Sequence, residues 1–187
     1  MNTPDLTEAK RRLRAEFSTR RPDPALGFRI AGHVLEQVPV TPGAVVSGFW
    51  PLPGEIDVRP LLLALAGRGH AIALPRTPRR GLPLRFHRWR PGDSLERGPI
   101  GLSQPAATAP VLLPDLVLVP MVAFDADLRR LGHGGGYYDR TLAGLRAAGS
   151  PFALGIAFAA QQAEGLPADA LDARLDAVAT ENGIIRA

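Results

Sequence analysis

Apolar positions alternate with polar ones in two distinct periods along this chain. Residues 3–17, TPDLTEAKRRLRAEF, place Leu6, Ala9, Leu13 and Phe17 on one helical stripe. Thr3 stands where an N-cap belongs and Pro4 in the first turn. Lys10 and Arg14, four residues apart, share a face of that helix. Residues 22–38 predict a second helix, with Leu26, Ile30, Val34 and Val38 inward. AVVSGFW (44–50) predicts a short buried strand, and EIDVRPLLLALAGRG (55–69) a helix with Pro60 near its start and glycines at its end. HAIALP (70–75) and LRFHRW (84–89) predict strands. Residues 91–114, rich in Pro, Gly and Ser, predict a long surface connection. DLVLVP (115–120) has the continuous apolar run of a strand buried on both faces. YYDRTLAGLRAAG (137–149) predicts a helix closed by Gly149, and strands follow at FALGIAF (152–158) and LDAVAT (175–180). Strands alternating with helices predict one α/β domain over residues 1–187, a three-layer α/β/α sandwich with a largely parallel, Rossmann-like sheet.

The chemistry concentrates in residues 131–142, LGHGGGYYDRTL. A strand leads in and a helix leads out, and ligands of open α/β sheets sit beyond the carboxyl ends of strands. Glycines before a helix let backbone N–H groups converge on an anion, and the helix N-terminus adds positive potential. Arg129, Arg130 and His133 surround the loop. Neither familiar nucleotide fingerprint fits. A GxxxxGK[ST] loop needs a lysine, and a GxGxxG pattern begun at Gly132 and Gly134 meets Tyr137 where its last glycine belongs. Spacing alone therefore leaves two readings open: an anion site, or a glycine-rich turn into a helix. Asp139 is equally double. A carboxylate in a first helical turn is favourable by itself, and beside phosphates it could hold magnesium.

Composition narrows the classes. Cysteine is absent, which excludes disulfides, thiolate nucleophiles and cysteine-bound zinc. No apolar run has the length of a membrane span, and the charged start lacks a signal-peptide core, so a cytoplasmic protein with no membrane partner is expected. The net charge is +4, and of 22 basic residues only Lys10 is a lysine. Arginine for lysine throughout, with abundant Ala, Gly and Pro, points to compositional bias. The basic residues are dispersed, and no nucleic-acid partner is expected.

The stretch DLVLVPMVAFDADLRRLGHGGGYYDRTL resembles the signature of the 5-formyltetrahydrofolate cyclo-ligase family, also called methenyltetrahydrofolate synthetase: a strand, Val119-Pro120, Ala123-Phe124-Asp125, then Arg130 through Asp139. The resemblance extends over nearly the whole chain. It implies ATP-dependent closure of 5-formyltetrahydrofolate to 5,10-methenyltetrahydrofolate with ADP and phosphate released. ATP and Mg2+ enter as cofactors, in a monomer that acts on a small folate, polyglutamylated or not. KRRLR is similar to the family's KxxLR, which implies that Lys10 and Arg14 meet ATP phosphates. Arg130, Leu131, Gly132, His133, Gly134, Gly135, Gly136, Tyr137 and Tyr138 would form the rest of the nucleotide wall, with Lys10, Arg130 and Tyr138 as catalytic groups. Trp50, Glu55, Trp89, His133, Gly135 and Tyr137 would bind the folate, and Asp139 and Asp172 the magnesium. The resemblance leaves undecided which of Tyr137 and Tyr138 touches the folate. This chain departs from the family pattern at Leu128, where glycine is usual, and at Leu171, where histidine often stands. A folate- or nucleotide-binding relative without turnover is the alternative.

Overall fold

The computed structural model describes residues 3–20, 23, 25–149 and 151–187. In chain order the elements are α1 (Thr3–Phe17), α2 (Leu26–Gln37), β1 (Val45–Ser47), α3 (Arg59–Gly67), β2 (Ala71–Arg76), β3 (Arg85–Arg88), β4 (Glu96–Arg97), β5 (Ser103–Gln104), β6 (Leu116–Pro120), β7 (Ala123–Phe124), β8 (Arg130–Leu131), α4 (Tyr137–Ala148), β9 (Phe152–Ile156), β10 (Ala177–Thr180) and β11 (Gly183–Ile185). Of Thr3 and Pro4 only the backbone is described, so capping by Thr3 lies outside the described residues, as do positions 22 and 24 at the expected start of the second helix.

The seven-stranded sheet runs β11-β10-β9-β6-β1-β2-β3. Its five inner strands are parallel, and antiparallel β3 and β11 close the two edges. β6 shows why it lies in the middle. Leu116 and Leu118 turn to one face and Val117 and Val119 to the other, all buried, as the strand period of two requires. On the first face the leucines meet Ile30 and Val34 of α2 and Leu61, Leu62 and Leu65 of α3. On the second the valines meet Leu142 of α4, Phe86 and Leu128. These are the three expected α/β/α layers. No described helix is long and apolar enough to cross a membrane.

α1 belongs to neither layer. It lies across the carboxyl ends of the strands, anchored by Phe17 among Val122, Ala123, Leu131 and Leu166. The expected loop at 91–114 is more structured than its composition suggests. It contains the paired β4 and β5, and Gln104 accepts from the Thr77 N–H at 3.2 Å, tying the segment to the end of β2.

Leu128 carries a φ of +59°, the left-handed region, at the position where glycine is usual in the resembling family. Such a backbone costs a leucine about 1–2 kcal/mol. Its side chain is buried in the α4 cluster, and that burial outweighs the strain. Leu128→Gly is therefore expected to destabilise the protein by about 1–3 kcal/mol, the core loss exceeding the strain relieved. A denaturant midpoint equal to or above that of the unmodified protein would reverse that balance.

Candidate active site

A cavity of about 530 Å³ opens beyond the carboxyl ends of β1, β2 and β6. Phe49 and Trp50 follow β1, Pro75 and Thr77 end β2, and Pro120 ends β6; all five face it. The position follows from the strand order. The chain leaves β1 toward β2 and later returns to β6 on the other side of β1, which opens a crevice there.

The glycine loop forms one wall. β7 and β8 pair as a hairpin that places Arg130 and Leu131 at the cavity, and Gly132 to Gly136 carry the chain into α4. Gly134 and Gly136 have φ of +93° and +63°, conformations that a side chain would strain. Two loop carbonyls are turned to arginines: Gly132 O accepts from Arg14 Nε at 2.7 Å, and Gly135 O from Arg140 at 2.7 Å. Among the described residues, no acceptor meets the N–H groups of residues 132–136. The loop thus covers carbonyls that would repel an anion and leaves amides that attract one.

The charged groups are already paired. Lys10 Nζ on α1 lies 2.6 Å from Asp172 Oδ2 and 3.3 Å from Asp169 Oδ2. Arg130 is nearly inaccessible, 4% at its side chain, and donates to Asp139 Oδ1 at 2.5 Å and to the Ala173 carbonyl. Desolvation pulls the Arg130 pKa down from its ordinary value, and the Asp139 and Asp172 carboxylates oppose that pull. The second Asp139 contact comes from the Ala173 N–H at 3.2 Å. Lys10, Arg130, Asp139 and Asp172, from four separate segments, thus meet at one end of the cavity.

Trp50, Glu55 and Tyr137 stand elsewhere on the same cavity wall. Glu55 Oε2 accepts from the Leu52 N–H at 2.8 Å, and His133 Nε2 lies 3.1 Å from Oε1. His133 therefore spans from the glycine loop to Glu55 and makes no other hydrogen bond or ion pair to a described side chain. Tyr137 and Tyr138 both line the cavity. The Tyr137 ring carries the Arg140 guanidinium 5.4 Å from its centroid. Enclosure pushes the Tyr138 hydroxyl pKa up, and the Glu55 carboxylate adds to the rise, so Tyr138 remains a neutral donor.

Trp89 is the correction. It does not reach the cavity wall; it is 5% exposed and packs in the α2–α3 core. Its ring meets Trp50 edge-on, with centroids 5.8 Å apart and planes at 68°. Trp89 therefore supports the tryptophan that faces the cavity, while Arg59 lies 5.5 Å from the Trp50 ring centroid.

Two carboxylates emerge that the sequence did not single out for a role. Asp125, 2% exposed, accepts from the Asp127 and Arg129 N–H groups at 3.0 Å each with one oxygen and from the Leu166 N–H at 3.0 Å with the other. It shapes the turn before Arg130 and ties it to the chain that leads on to Asp172. The aspartate-led turn DADLRR was a local signal for the first half of that role. Asp169 is the second, through its contact with Lys10.

The donor set admits magnesium in one way. Among the described residues no group of three or more His, Asp or Glu side chains could hold a metal alone. Asp139 and Asp172 are partly open, 29% and 25% at their side chains, and both face the cavity. One or two carboxylates completed by phosphate oxygens and water is the usual magnesium environment beside a nucleotide.

Comparison with known proteins gives the family. The profile of the 5-formyltetrahydrofolate cyclo-ligase family matches residues 4–181. The 5-formyltetrahydrofolate cyclo-ligase of Escherichia coli K12 is 30% identical over 178 residues, covering 92% of this chain and 97% of its own. That of Mycolicibacterium smegmatis is 38% identical over 114 residues, 54% of this chain and 55% of its own. The solved 5,10-methenyltetrahydrofolate synthetase of Aquifex aeolicus superposes with a TM-score of 0.75 at 26% identity, over 95% of this chain and 92% of that one. The Mycoplasma pneumoniae synthetase shares the fold, with a TM-score of 0.72 at 22% identity over 92% of this chain and 98% of that one. With the family profile matching residues 4–181 and a cyclo-ligase 30% identical over almost its whole length, the chain belongs to the 5-formyltetrahydrofolate cyclo-ligase family.

Proposed function

We propose that this enzyme uses ATP and Mg2+ to close 5-formyltetrahydrofolate to 5,10-methenyltetrahydrofolate, releasing ADP and phosphate. One observation carries the reading: a single cavity gathers two cations from α1, the unpaired loop amides and the Asp139–Asp172 end beside Trp50, Glu55 and Tyr137. A nucleotide's phosphates and a partly reduced pterin bearing N–H donors fit those walls together.

The chemistry requires both. A formyl group on N5 is an amide, so its carbon resists attack and its oxygen cannot leave. Transfer of the γ-phosphoryl group to that oxygen makes the carbon an iminium-like electrophile and the oxygen part of a leaving group. N10 then attacks the carbon, the N10 proton is lost, and phosphate departs as the five-membered ring closes. No enzyme nucleophile is needed, which suits a chain without cysteine. Such transfer rests on positioning and charge compensation.

Lys10, Arg14, Arg130 and the 132–136 amides hold the phosphates. Magnesium, when bound through Asp139 and Asp172, neutralises the phosphate charge. Tyr138 donates its proton in a hydrogen bond where oxygen charge grows. Its raised pKa keeps it protonated. Glu55, fixed by the Leu52 amide, accepts from the pterin's amino and ring N–H groups in place of His133. Trp50 and Tyr137 pack on the rings. The reading adds a monomer in the cytoplasm that accepts folate with or without further glutamates.

Purified protein mixed with 5-formyltetrahydrofolate, ATP and Mg2+ is expected to develop the near-ultraviolet absorbance of the methenyl product, with ADP formed in equal amount. Folate and ATP binding without either product would favour the non-catalytic alternative.

A further inference from the structure

Lys10 is held by two carboxylates that differ in where they face. Asp172 lines the cavity and Asp169 does not. An ammonium has three N–H donors. Two are used, on Asp172 Oδ2 at 2.6 Å and on Asp169 Oδ2 at 3.3 Å. Asp169 is itself fixed: its Oδ1 accepts from the Leu171 N–H at 2.8 Å, and its own N–H donates to Asp172 Oδ2 at 2.9 Å.

α1 needs such a fixture. Phe17 is its one buried side chain among those described, and it lies at the helix's far end. Lys10 and Phe17 are seven residues apart, about 10 Å along a helix rising ~1.5 Å per residue. At Lys10 these ion pairs join α1 to the 166–176 segment, and one turn on Arg14 bonds the Gly132 carbonyl. A magnesium ion held by Asp172 would compete with Lys10 for that carboxylate.

We propose that Asp169 is a positioning residue that acts through Lys10. It keeps the ammonium at the phosphate end of the cavity when the Asp172 carboxylate is shared with a metal. This rests on the ATP reading of the cavity given above. Lys10 then directs its two remaining donors to phosphate oxygens, with Asp169 fixing the third. A purely electrostatic view of Asp169 predicts the opposite effect, because a carboxylate near phosphates repels them. Position outweighs repulsion here. Asp169 is 41% exposed at its side chain and so is screened by solvent, whereas Lys10 is only 14% exposed and can meet phosphate directly.

Asp169→Asn separates the roles. The amide oxygen still accepts from Leu171 and keeps the turn, but the negative charge facing Lys10 is gone. Affinity for Mg-ATP, measured by titration calorimetry, is expected to fall about fivefold, the upper end for a partly exposed ion pair. KM for ATP should rise with it, and KM for the folate should not follow. Tripolyphosphate, which lacks the nucleoside, should show the same loss. In a Lys10→Ala background the Asp169 substitution is expected to add nothing to the loss of affinity. Unchanged or tighter Mg-ATP binding by Asp169→Asn overturns the proposal while leaving the phosphate site intact. So does an equal loss in the presence and absence of Lys10, which would mark a role confined to the turn. Unmodified protein that binds neither ATP nor tripolyphosphate overturns the phosphate reading and this inference with it.

Discussion

Lys10→Ala is expected to lower kcat/KM for ATP by roughly 10²–10³-fold, the range for removing one preorganised group that compensates transition-state charge. Lys10 reaches the cavity from α1 with its ammonium largely withdrawn from water and its direction set by Asp169 and Asp172. A donor held that way gains strength from its surroundings and needs little rearrangement as phosphate charge shifts. Lys10→Arg should recover less than about a tenth of the lost activity, because a planar guanidinium cannot occupy the point between Asp169 and the phosphates as an ammonium does. The composition supports that distinction. A chain with 22 basic residues uses lysine at this one position. Thermal stability should change little in either variant, since partly exposed ion pairs contribute about 0–1 kcal/mol. Steady-state kinetics in ATP, with a melting curve as control, make the comparison. An alanine variant with unaltered kcat/KM would remove Lys10 from the phosphates.

The parts of this site that are legible in the sequence depend on local patterns. β6, the glycines and α4 follow one another within about 30 residues, and each announces itself by period, by glycine or by a helical stripe. The parts that are not legible depend on pairing at long range. Trp89 follows β3, whose register with β2 sets Arg88 opposite Ala73, and the Trp89 N–H donates to Ile72 O at 2.9 Å. That pairing turns the indole to the α2–α3 core, and no property of LRFHRW alone could show it. Asp169 meets Lys10 across 159 residues, so its role depends on where α1 lies. The edge strand β11 and the pairs β4–β5 and β7–β8 are two or three residues long, too short for a period to register. Arg130 lay between these cases. Its place beside the glycines was legible, but its burial was not.

That burial gives Arg130→Met two separable effects. The guanidinium is 4% exposed and bonds both Asp139 Oδ1 at 2.5 Å and the Ala173 carbonyl. Methionine fills much of the volume but leaves a carboxylate and a carbonyl without their donor. The expected destabilisation is about 3 kcal/mol, the lower end for breaking a buried ion pair. Asp139 sets that limit: it keeps 29% side-chain exposure and the Ala173 N–H, so water can compensate part of its charge. Adding Asp139→Asn to Arg130→Met removes the uncompensated charge, while the amide oxygen can still accept from Ala173. The double variant should therefore recover about 1–2 kcal/mol of the loss, the range for a buried hydrogen-bonding group left unsatisfied. Activity should move differently. Arg130→Met is expected to lose roughly 10³-fold or more in kcat, as for a lost electrostatic clamp. The second substitution cannot restore it, because it supplies no cation to the phosphates and removes an expected magnesium ligand. Denaturant titrations and saturating-substrate rates on the same three variants separate the two effects. If activity returned along with stability in the double variant, Arg130 would serve only to hold α4 against the 172–174 segment, and the phosphates would have to be compensated by Lys10, Arg14 and the loop amides alone.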